Sequence, residues 1–382
     1  MRVPKKKENS MSKPSLKQGN ASDKNSIYGR QIAFVAAFLL PTAKLLEAPS
    51  LLAKYAAGDL LLPAFLHFLL QGGILFLLLY AASKSEKTLF ERLHVKFGRW
   101  SSVFYAIYAA YFVFAAILPL FDMEKFTYAA FFDTAPTVFS FVFFFIFSAF
   151  LCIKGIKTLG RAADLSVFLY LLPFLALIAM SVTTADFSHL LPLFGTKFGD
   201  TMSAFTHTTP HFSDAVLLLP LIGNLRYQKG DGVKILGGYA AGAASTLIFL
   251  ATFFGIYASI APREHYAFSK IAEYFPALEV IGRFDLLFVY ALTIVLLFYT
   301  AMPLLYATHF TCRAFHTEKS IWISAILNIA LLLFLLFCNK YYNTLYRLIS
   351  GKLPLLFYFI TDMLPLFLLF LPNSAGRQEK IQ

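Results

Sequence analysis

The sequence predicts an all-α membrane protein with about ten transmembrane helices. Of its 382 residues, 58% are hydrophobic and only 14% are charged, whereas soluble domains carry about 25% charged residues. Long apolar runs recur along the chain, and the basic residues are concentrated in the short segments between them. A soluble core of this size does not need so many apolar positions, but helices that face lipid do.

Ten apolar runs are long enough to cross a bilayer, since a span requires about 20 residues at a rise of about 1.5 Å each. Their predicted bounds are 31–56, 59–82, 100–120, 134–153, 161–182, 199–224, 232–260, 284–312, 320–338 and 352–371.

The basic residues predict the orientation of these spans. Of the 33 lysines and arginines, 23 lie in the two tails and the loops on the same side, 9 lie on the other side, and Lys44 falls inside a span. Because cytoplasmic loops are enriched in basic residues, both termini are predicted to be cytoplasmic. Residues 1–27 are predicted to form a disordered basic tail, 28–372 the polytopic membrane domain, and 373–382 a short C-terminal tail.

Several classes of function are disfavoured. The net charge of +12 belongs to the loops, and no stripe of basic and aromatic residues lies outside the spans, which argues against nucleic-acid binding. No G-x-S-x-G, Walker, H-E-x-x-H or dinucleotide-binding motif is present in a suitable setting, so an enzyme is not expected. The three cysteines lack C-x-x-C spacing, which predicts free thiols, no metal site and no cofactor.

The first span contains an unusual polar interruption. Pro41 and Pro49 bracket a segment that includes Thr42, Lys44 and Glu47. A helix that ends at Pro41 rises about 16 Å, so this segment is predicted to lie near the bilayer midplane. Irregular backbone at that depth is tolerated only in a protein interior or beside a watery cavity, and a charge there costs about 2.5–3.5 kcal/mol.

The sixth span contains a second interruption. Its centre reads His207-Thr208-Thr209-Pro210-His211. Thr209 is predicted to cap a half-helix that has Pro210 at its first position, and the exposed amides there suit a ligand carboxylate. Asp214 lies one turn further on.

The two interruptions are five spans apart, which predicts inverted repeats over about 31–182 and 199–371 with a ligand site between spans 1 and 6. The candidate ligand-binding residues are Thr42, Ala43, Lys44, Glu47, His207, Thr208, Thr209, His211, Asp214, Tyr108, Tyr299 and Thr300, with Asp214 and His211 as candidate proton-coupling residues.

Structural alternatives exist for these residues. Lys44 and Glu47 are three apart and either neutralise each other or leave Lys44 to hold a substrate carboxylate. Asp214, His207 and His211 either relay protons or form a hydrogen-bonded structural cluster. The stripe of Tyr105, Tyr108 and Tyr111 in span 3 either lines the cavity or packs in the core, and the same holds for Tyr299 and Thr300 in span 8.

Two loops are predicted to carry structure. Residues 83–99 have apolar positions at helical spacing among basic residues, which predicts a short interfacial helix. Residues 266–282 suggest a similar segment on the opposite face, as a lid. For both loops a plain surface connector is the alternative.

Five segments resemble the endospore germination permeases, the polytopic B subunits of nutrient germinant receptors in the amino acid–polyamine–organocation superfamily. The similar segments are APSLLAKYAAGD (48–59), EKTLFERLHVKFGRW (86–100), IKTLGRAADLSVF (156–168), FSDAVLLLP (212–220) and FSKIAEYFPALEVIGRFDLLFV (268–289).

This resemblance implies a LeuT-type fold of five plus five inverted helices with broken helices 1 and 6. It also implies a small-molecule ligand such as an amino acid, partner receptor subunits, and a place in the bacterial cytoplasmic membrane or the spore inner membrane. Relatives carry glycines where this chain has Thr42, Ala43 and Lys44, so Lys44 is expected to alter ligand choice or to replace a bound sodium ion.

Three functions therefore remain at this stage. The first is a germinant receptor subunit, the second is a stand-alone proton-coupled amino acid transporter, and the third is a membrane component without a small ligand.

Overall fold

The computed structural model describes most of the predicted membrane domain. The described residues are 27–131, 137–192, 194–273, 285–318, 320–341 and 358–372, together with 344, 345, 348 and 356. The predicted N-terminal tail, except residue 27, and the predicted C-terminal tail lie outside these ranges. Every regular element within them is helical.

Eight helices form the first half of the chain. They are α1 (Gly29–Lys44), α2 (Ala48–Ala56), α3 (Leu61–Ser83), α4 (Leu89–Phe97), α5 (Ser101–Ala115), α6 (Ile117–Phe131), α7 (Thr137–Lys154) and α8 (Ile156–Ser181).

The described second half contains seven further helices. They are α9 (Phe198–Thr208), α10 (Asp214–Gly223), α11 (Asp231–Tyr257), α12 (Ala267–Glu273), α13 (Asp285–Ala314), α14 (Ser320–Cys338) and α15 (Phe359–Phe370).

The described spanning helices follow the predicted runs, with one clear difference in length, and residues 134–136, 352–355 and 357 of the fourth and tenth runs lie outside the described residues. Six helical segments of the described chain are long and apolar enough to cross a membrane, and one of them, Leu89–Tyr128, comprises α4, α5 and most of α6. The pair α1 and α2 passes the same test only together, because it is bent by 62° at its break. The third span extends well past residue 120, through α6 to Phe131. The charged stretch near its end was predicted as a loop, but it continues the helix.

Proline widens the first helix before its break. Pro41 has no backbone N–H and its ring displaces the carbonyl four residues earlier. The preceding turn, Val35–Leu39, is a π-helix, in which the Leu40 N–H donates to the Val35 carbonyl. A turn of this kind concentrates backbone irregularity next to the polar segment.

Small residues of α11 allow α1 to approach closely, as the run of glycine and alanine predicts. A Cβ atom added at Gly242 would lie 2.5 Å from the Ala36 carbonyl oxygen and 3.0 Å from Cγ of Pro41. The irregular turn of α1 is therefore packed directly against the backbone of α11.

The predicted interfacial helix is present as α4. The Thr88 hydroxyl accepts the Glu91 N–H at 3.2 Å, and the Glu91 carboxylate accepts the Thr88 N–H at 3.0 Å, which is a capping box. Phe90 is fully buried, and its ring contacts Gly223 at the end of α10 so closely that no side chain fits there.

Arg92 fastens α4 to the ends of two spans. Its guanidinium donates to the carbonyls of Ala81 at 2.6 Å, Leu371 at 2.9 Å and Pro372 at 3.2 Å. Both the α3 and α15 ends are thus held by one buried cation, and their otherwise unpaired C-terminal carbonyls are satisfied.

Gly242→Ala should destabilise the protein by about 1–3 kcal/mol, because the added methyl group overpacks the contact with α1. Gly237→Ala is the matched control, since nothing lies within 4 Å of a Cβ at that position. The apparent melting temperature in detergent should fall for Gly242→Ala and stay constant or rise for Gly237→Ala. Equal melting temperatures for the two variants would contradict the close packing.

Candidate ligand site at the two helix breaks

The breaks of spans 1 and 6 face each other. α2 packs against α9 and α1 packs against α10. The first break is the turn at residues 45–47, and the second comprises a 3₁₀ turn at Thr209–His211 and two further residues before α10. The predicted pair of discontinuous helices is therefore present, and each break exposes polar groups to the other.

A buried ion pair joins the two breaks. Lys44 Nζ lies 2.6 Å from Asp214 Oδ1, and both side chains are only 2% exposed. Nζ also donates to the Leu40 carbonyl at 3.2 Å, and the Tyr239 hydroxyl donates to Asp214 Oδ2 at 3.3 Å. Two charges at this depth are tolerated because they are paired and hydrogen-bonded.

Lys44 and Glu47 do not pair with each other. The two residues would be neighbours on a continuous helix, but α1 ends at Lys44 and the chain turns. Lys44 bonds to Asp214, whereas Glu47 Oε2 lies 3.1 Å from Nδ1 of His265. Each member of the sequence pair has a separate partner.

The second half-helix starts later than predicted. Thr209 begins a 3₁₀ turn, and α10 begins at Asp214 with Ser213 as its N-cap residue. The Ala215 N–H at this helix end donates to Gln71 Oε1 at 3.0 Å. The side chain of Gln71 thus accepts a hydrogen bond from a helix-end N–H group of the kind that was expected to bind a ligand carboxylate.

A cavity of about 70 Å³ lies beside the breaks, between spans 1, 3, 6 and 8. Four predicted site residues line it, namely Ala43, Glu47, His211 and Tyr299. Lys44 and Asp214 are buried next to these residues without lining the cavity.

Three of the predicted threonines use their hydroxyls within their own helices. Thr42 donates to the Phe38 carbonyl at 2.9 Å, Thr208 to Ala204 at 2.7 Å and Thr300 to Leu296 at 2.8 Å. Bonds to the carbonyl four residues earlier satisfy a buried hydroxyl locally. These side chains do not line the cavity.

The remaining predicted residues also lie outside the cavity. His207 stacks on Tyr55 with ring centroids 4.6 Å apart. The Tyr108 hydroxyl donates to the Ile360 carbonyl at 3.2 Å, and Thr209 is hydrogen-bonded to Tyr358. Tyr108 and Thr209 therefore connect spans 3 and 6 to α15.

Sequence reasoning missed two polar residues of the cavity wall, Asp122 and Ser213, whereas Tyr111 belongs to the tyrosine stripe of span 3 that was expected to line the cavity or pack in the core. Tyr111 lies one turn after Tyr108 on the same apolar helix, and helical phase alone did not distinguish the two tyrosines. Asp122 was placed in a loop because the third span was predicted to end at residue 120. Its position immediately after a long apolar run was the available signal.

The described part of the predicted lid, residues 266–273, contacts the first break, and residues 274–282 lie outside the described residues. Within residues 266–273, the N–H groups of Ala267 and Phe268 donate to the carbonyls of Leu46 and Leu45, each at 3.0 Å. These bonds satisfy carbonyls that the broken helix leaves open. α12 is thus held by direct backbone contact against the break of span 1.

Comparison with known families identifies the protein class. The sequence model described as "Spore germination protein" matches residues 52–342. The chain belongs to this family. The predicted family is confirmed, and the family points to a permease-like membrane protein, a transporter or receptor rather than an enzyme. A search of the curated proteins found no match.

Solved structures of transporters share its fold. MhsT in complex with L-phenylalanine aligns with a TM-score of 0.59 at 12% identity, over 90% of this chain and 88% of MhsT. The manganese transporter of Eremococcus coleocola, in complex with an aromatic bis-isothiourea substituted compound, gives 0.53 at 12% identity over 90% and 74%. These likenesses confirm the predicted LeuT-type fold and establish no ligand.

Removing one partner of the Lys44–Asp214 pair should destabilise this permease-like protein by about 3–5 kcal/mol, because the other charge stays buried. Lys44→Met and Asp214→Leu should each lower the apparent melting temperature in detergent. The double variant should be more stable than either single one. A Lys44→Met protein as stable as the parent would rule out this coupling.

The Arg30–Asp164 pair provides a matched control. It lies at 3.4 Å with side chains 67% and 36% exposed. Exposed pairs contribute about 0–1 kcal/mol, so the same double-mutant cycle should show little coupling there.

The contact between His265 and Glu47 predicts that α12 is held against the break of span 1 in a pH-dependent way. The Glu47 hydrogen bond raises the pKa of His265 above its usual 6.5, with smaller contributions from Glu264, while burial and Lys125 oppose the rise. The stabilisation is fully present below the ordinary pKa and is lost as pH rises through the raised value. The contact between α12 and span 1 should therefore be more stable in weak acid than in alkaline solution.

Hydrogen exchange of the Ala267 and Phe268 amides measures the stability of this contact between α12 and span 1. After correction for intrinsic exchange, their protection should decrease as pH rises through neutrality. The Glu47→Gln variant should lose this pH dependence, and the same dependence in the variant would contradict a role for the contact.

Proposed function

We propose that this family member binds a small nutrient, such as an amino acid, in the cavity at the two breaks and acts as a subunit of a spore germinant receptor. The family supports a role in germination. The MhsT structure with L-phenylalanine supports an amino acid as the type of ligand.

The cavity beside the breaks is the observation that carries this proposal. Ala43 and Glu47 belong to span 1, and His211 belongs to span 6, so both interrupted helices contribute to one wall. Backbone that leaves the helical path offers polar groups at the midplane, which ligand sites of this fold require.

The proposal includes the setting of the protein. The side of the protein on which α4 lies carries most of the basic residues, and we assign it to the cytoplasm together with both termini. The membrane is the spore inner membrane or the bacterial cytoplasmic membrane, and other receptor subunits are the expected partners. A receptor of this kind converts ligand binding into a change at those subunits.

A stand-alone proton-coupled amino acid transporter is the second candidate. The buried Lys44–Asp214 pair with Tyr239 favours it, because an internal carboxylate exchanging partners is able to accept a proton. His211 on the cavity wall is the candidate relay. Uptake by the purified protein alone in liposomes would support the transporter, whereas binding without uptake would support the receptor subunit.

Ligand binding should depend on the open space at Ala43. A thermal-shift screen of the purified protein with amino acids, sugars and nucleosides should identify a stabilising compound. Ala43→Phe should abolish that shift, because the ring fills the cavity. Ala244→Phe is the matched control at an exposed position of α11, and it should keep the shift.

Ligand-induced stabilisation that persists unchanged in Ala43→Phe would contradict this site. A screen in which no nutrient stabilises the parent protein would contradict the proposed function itself.

A further inference from the structure

The chemistry of the cavity wall specifies the ligand class, an inference that rests on the proposed function. We propose that the cavity selects a small ligand by an ammonium group, which binds to the carboxylates of Glu47 and Asp122. Asp122 thereby becomes a ligand-recognition residue of span 3.

Negative charge dominates the wall of the cavity. Glu47 and Asp122 both line it, on spans 1 and 3. No lysine or arginine is among the residues that line it within the described chain. Lys44 is 1% exposed and is held by Asp214, so its ammonium group does not reach the cavity.

The surroundings keep this negative balance. Lys125 interacts electrostatically with Glu47, Asp122 and Glu124. Among the described residues, the charge of Lys125 is thus shared by three carboxylates, and His265 adds a positive charge only when it is protonated. In a region of low dielectric constant, a ligand ammonium is attracted to this cluster and a ligand carboxylate is repelled.

The helix ends at the breaks do not offset this charge. Glu47 is the N-cap residue of α2, so an anionic residue already lies at the positive end of that helix. At α10, the Asp214 N–H donates to Phe212 at 2.9 Å and the Ala215 N–H donates to Gln71. An anion therefore meets neither a cationic side chain nor these two amides.

The size and the other walls limit the rest of the ligand. A volume of 70 Å³ corresponds to about five water-sized positions at roughly 10–15 Å³ each. Leu46, Leu118 and Leu217 supply apolar surface. The preferred ligand is therefore a compact amine of about six heavy atoms with a short apolar group.

Four compounds of equal size separate the contribution of charge. L-alaninamide is a cation, L-alanine a zwitterion, L-lactamide neutral and L-lactate an anion, and each has about six heavy atoms. We expect L-alaninamide to bind at least about tenfold more tightly than L-lactamide, since hydrogen bonds to charged groups contribute about 1.5–3 kcal/mol. L-lactate should not bind. Calorimetry on the purified full-length protein measures these affinities.

Two variants test the assigned carboxylates independently. Glu47→Gln and Asp122→Asn should each weaken L-alaninamide binding by about tenfold or more, with Ala43→Phe abolishing it. Glu273→Gln, a carboxylate of α12 that pairs with Lys270 and does not line the cavity, should bind normally. The melting temperature of each unliganded variant reports whether it is folded.

Several outcomes would overturn this inference. They are binding of L-lactate as tight as that of L-alaninamide, unchanged affinity in folded Asp122→Asn, and binding of none of the four compounds. If another nutrient still stabilised the parent protein in the wider screen, and Ala43→Phe removed that effect, the proposed function would stand without the ammonium preference.

Discussion

The ion pair between Lys44 and Asp214 is the interaction on which the centre of this protein depends. Each charge lies at an end of a broken helix, where backbone groups are also left without helical partners. Neither charge is stable alone at this depth, so pairing joins the two halves of the molecule across their interface. The contact connects spans 1 and 6 more firmly than apolar packing between them would, because lipid offers helices no strong hydrophobic reason to associate.

The rest of the polar interior compensates for the same two interruptions. The carbonyls of Leu45 and Leu46 are bound by α12, and the Ala215 amide is bound by Gln71. Gln71 in turn donates to Asp362 Oδ1 at 2.9 Å, in the widened turn of the last span. Contacts from α12 and from Gln71 thus support backbone that has left the helix.

The sequence was informative where a strong physical constraint acts over many residues. Apolar runs and alternating basic loops predicted the helices, and prolines with charges predicted both breaks. Individual partners depend on short turns instead. Two non-helical residues, Leu45 and Leu46, separate Lys44 from Glu47 and send the two side chains in different directions. Tyr108 and Tyr111 have the same residue type on one helix, and only the exact rotation of α5 directs Tyr111 to the cavity. Asp122 was missed because α6 continues through a charged segment whose sequence resembles a loop.

The two faces of the protein are fastened unequally. On the α12 face, span 1 is held by two backbone hydrogen bonds and by His265, whose side chain is 63% exposed. On the side where α4 lies, Arg92 is only 2% exposed and donates to three carbonyls from two spans. Phe90 packs against Gly223, where no larger residue fits. The contact at His265 is therefore accessible to water and sensitive to pH, whereas the contacts of Arg92 are shielded from water.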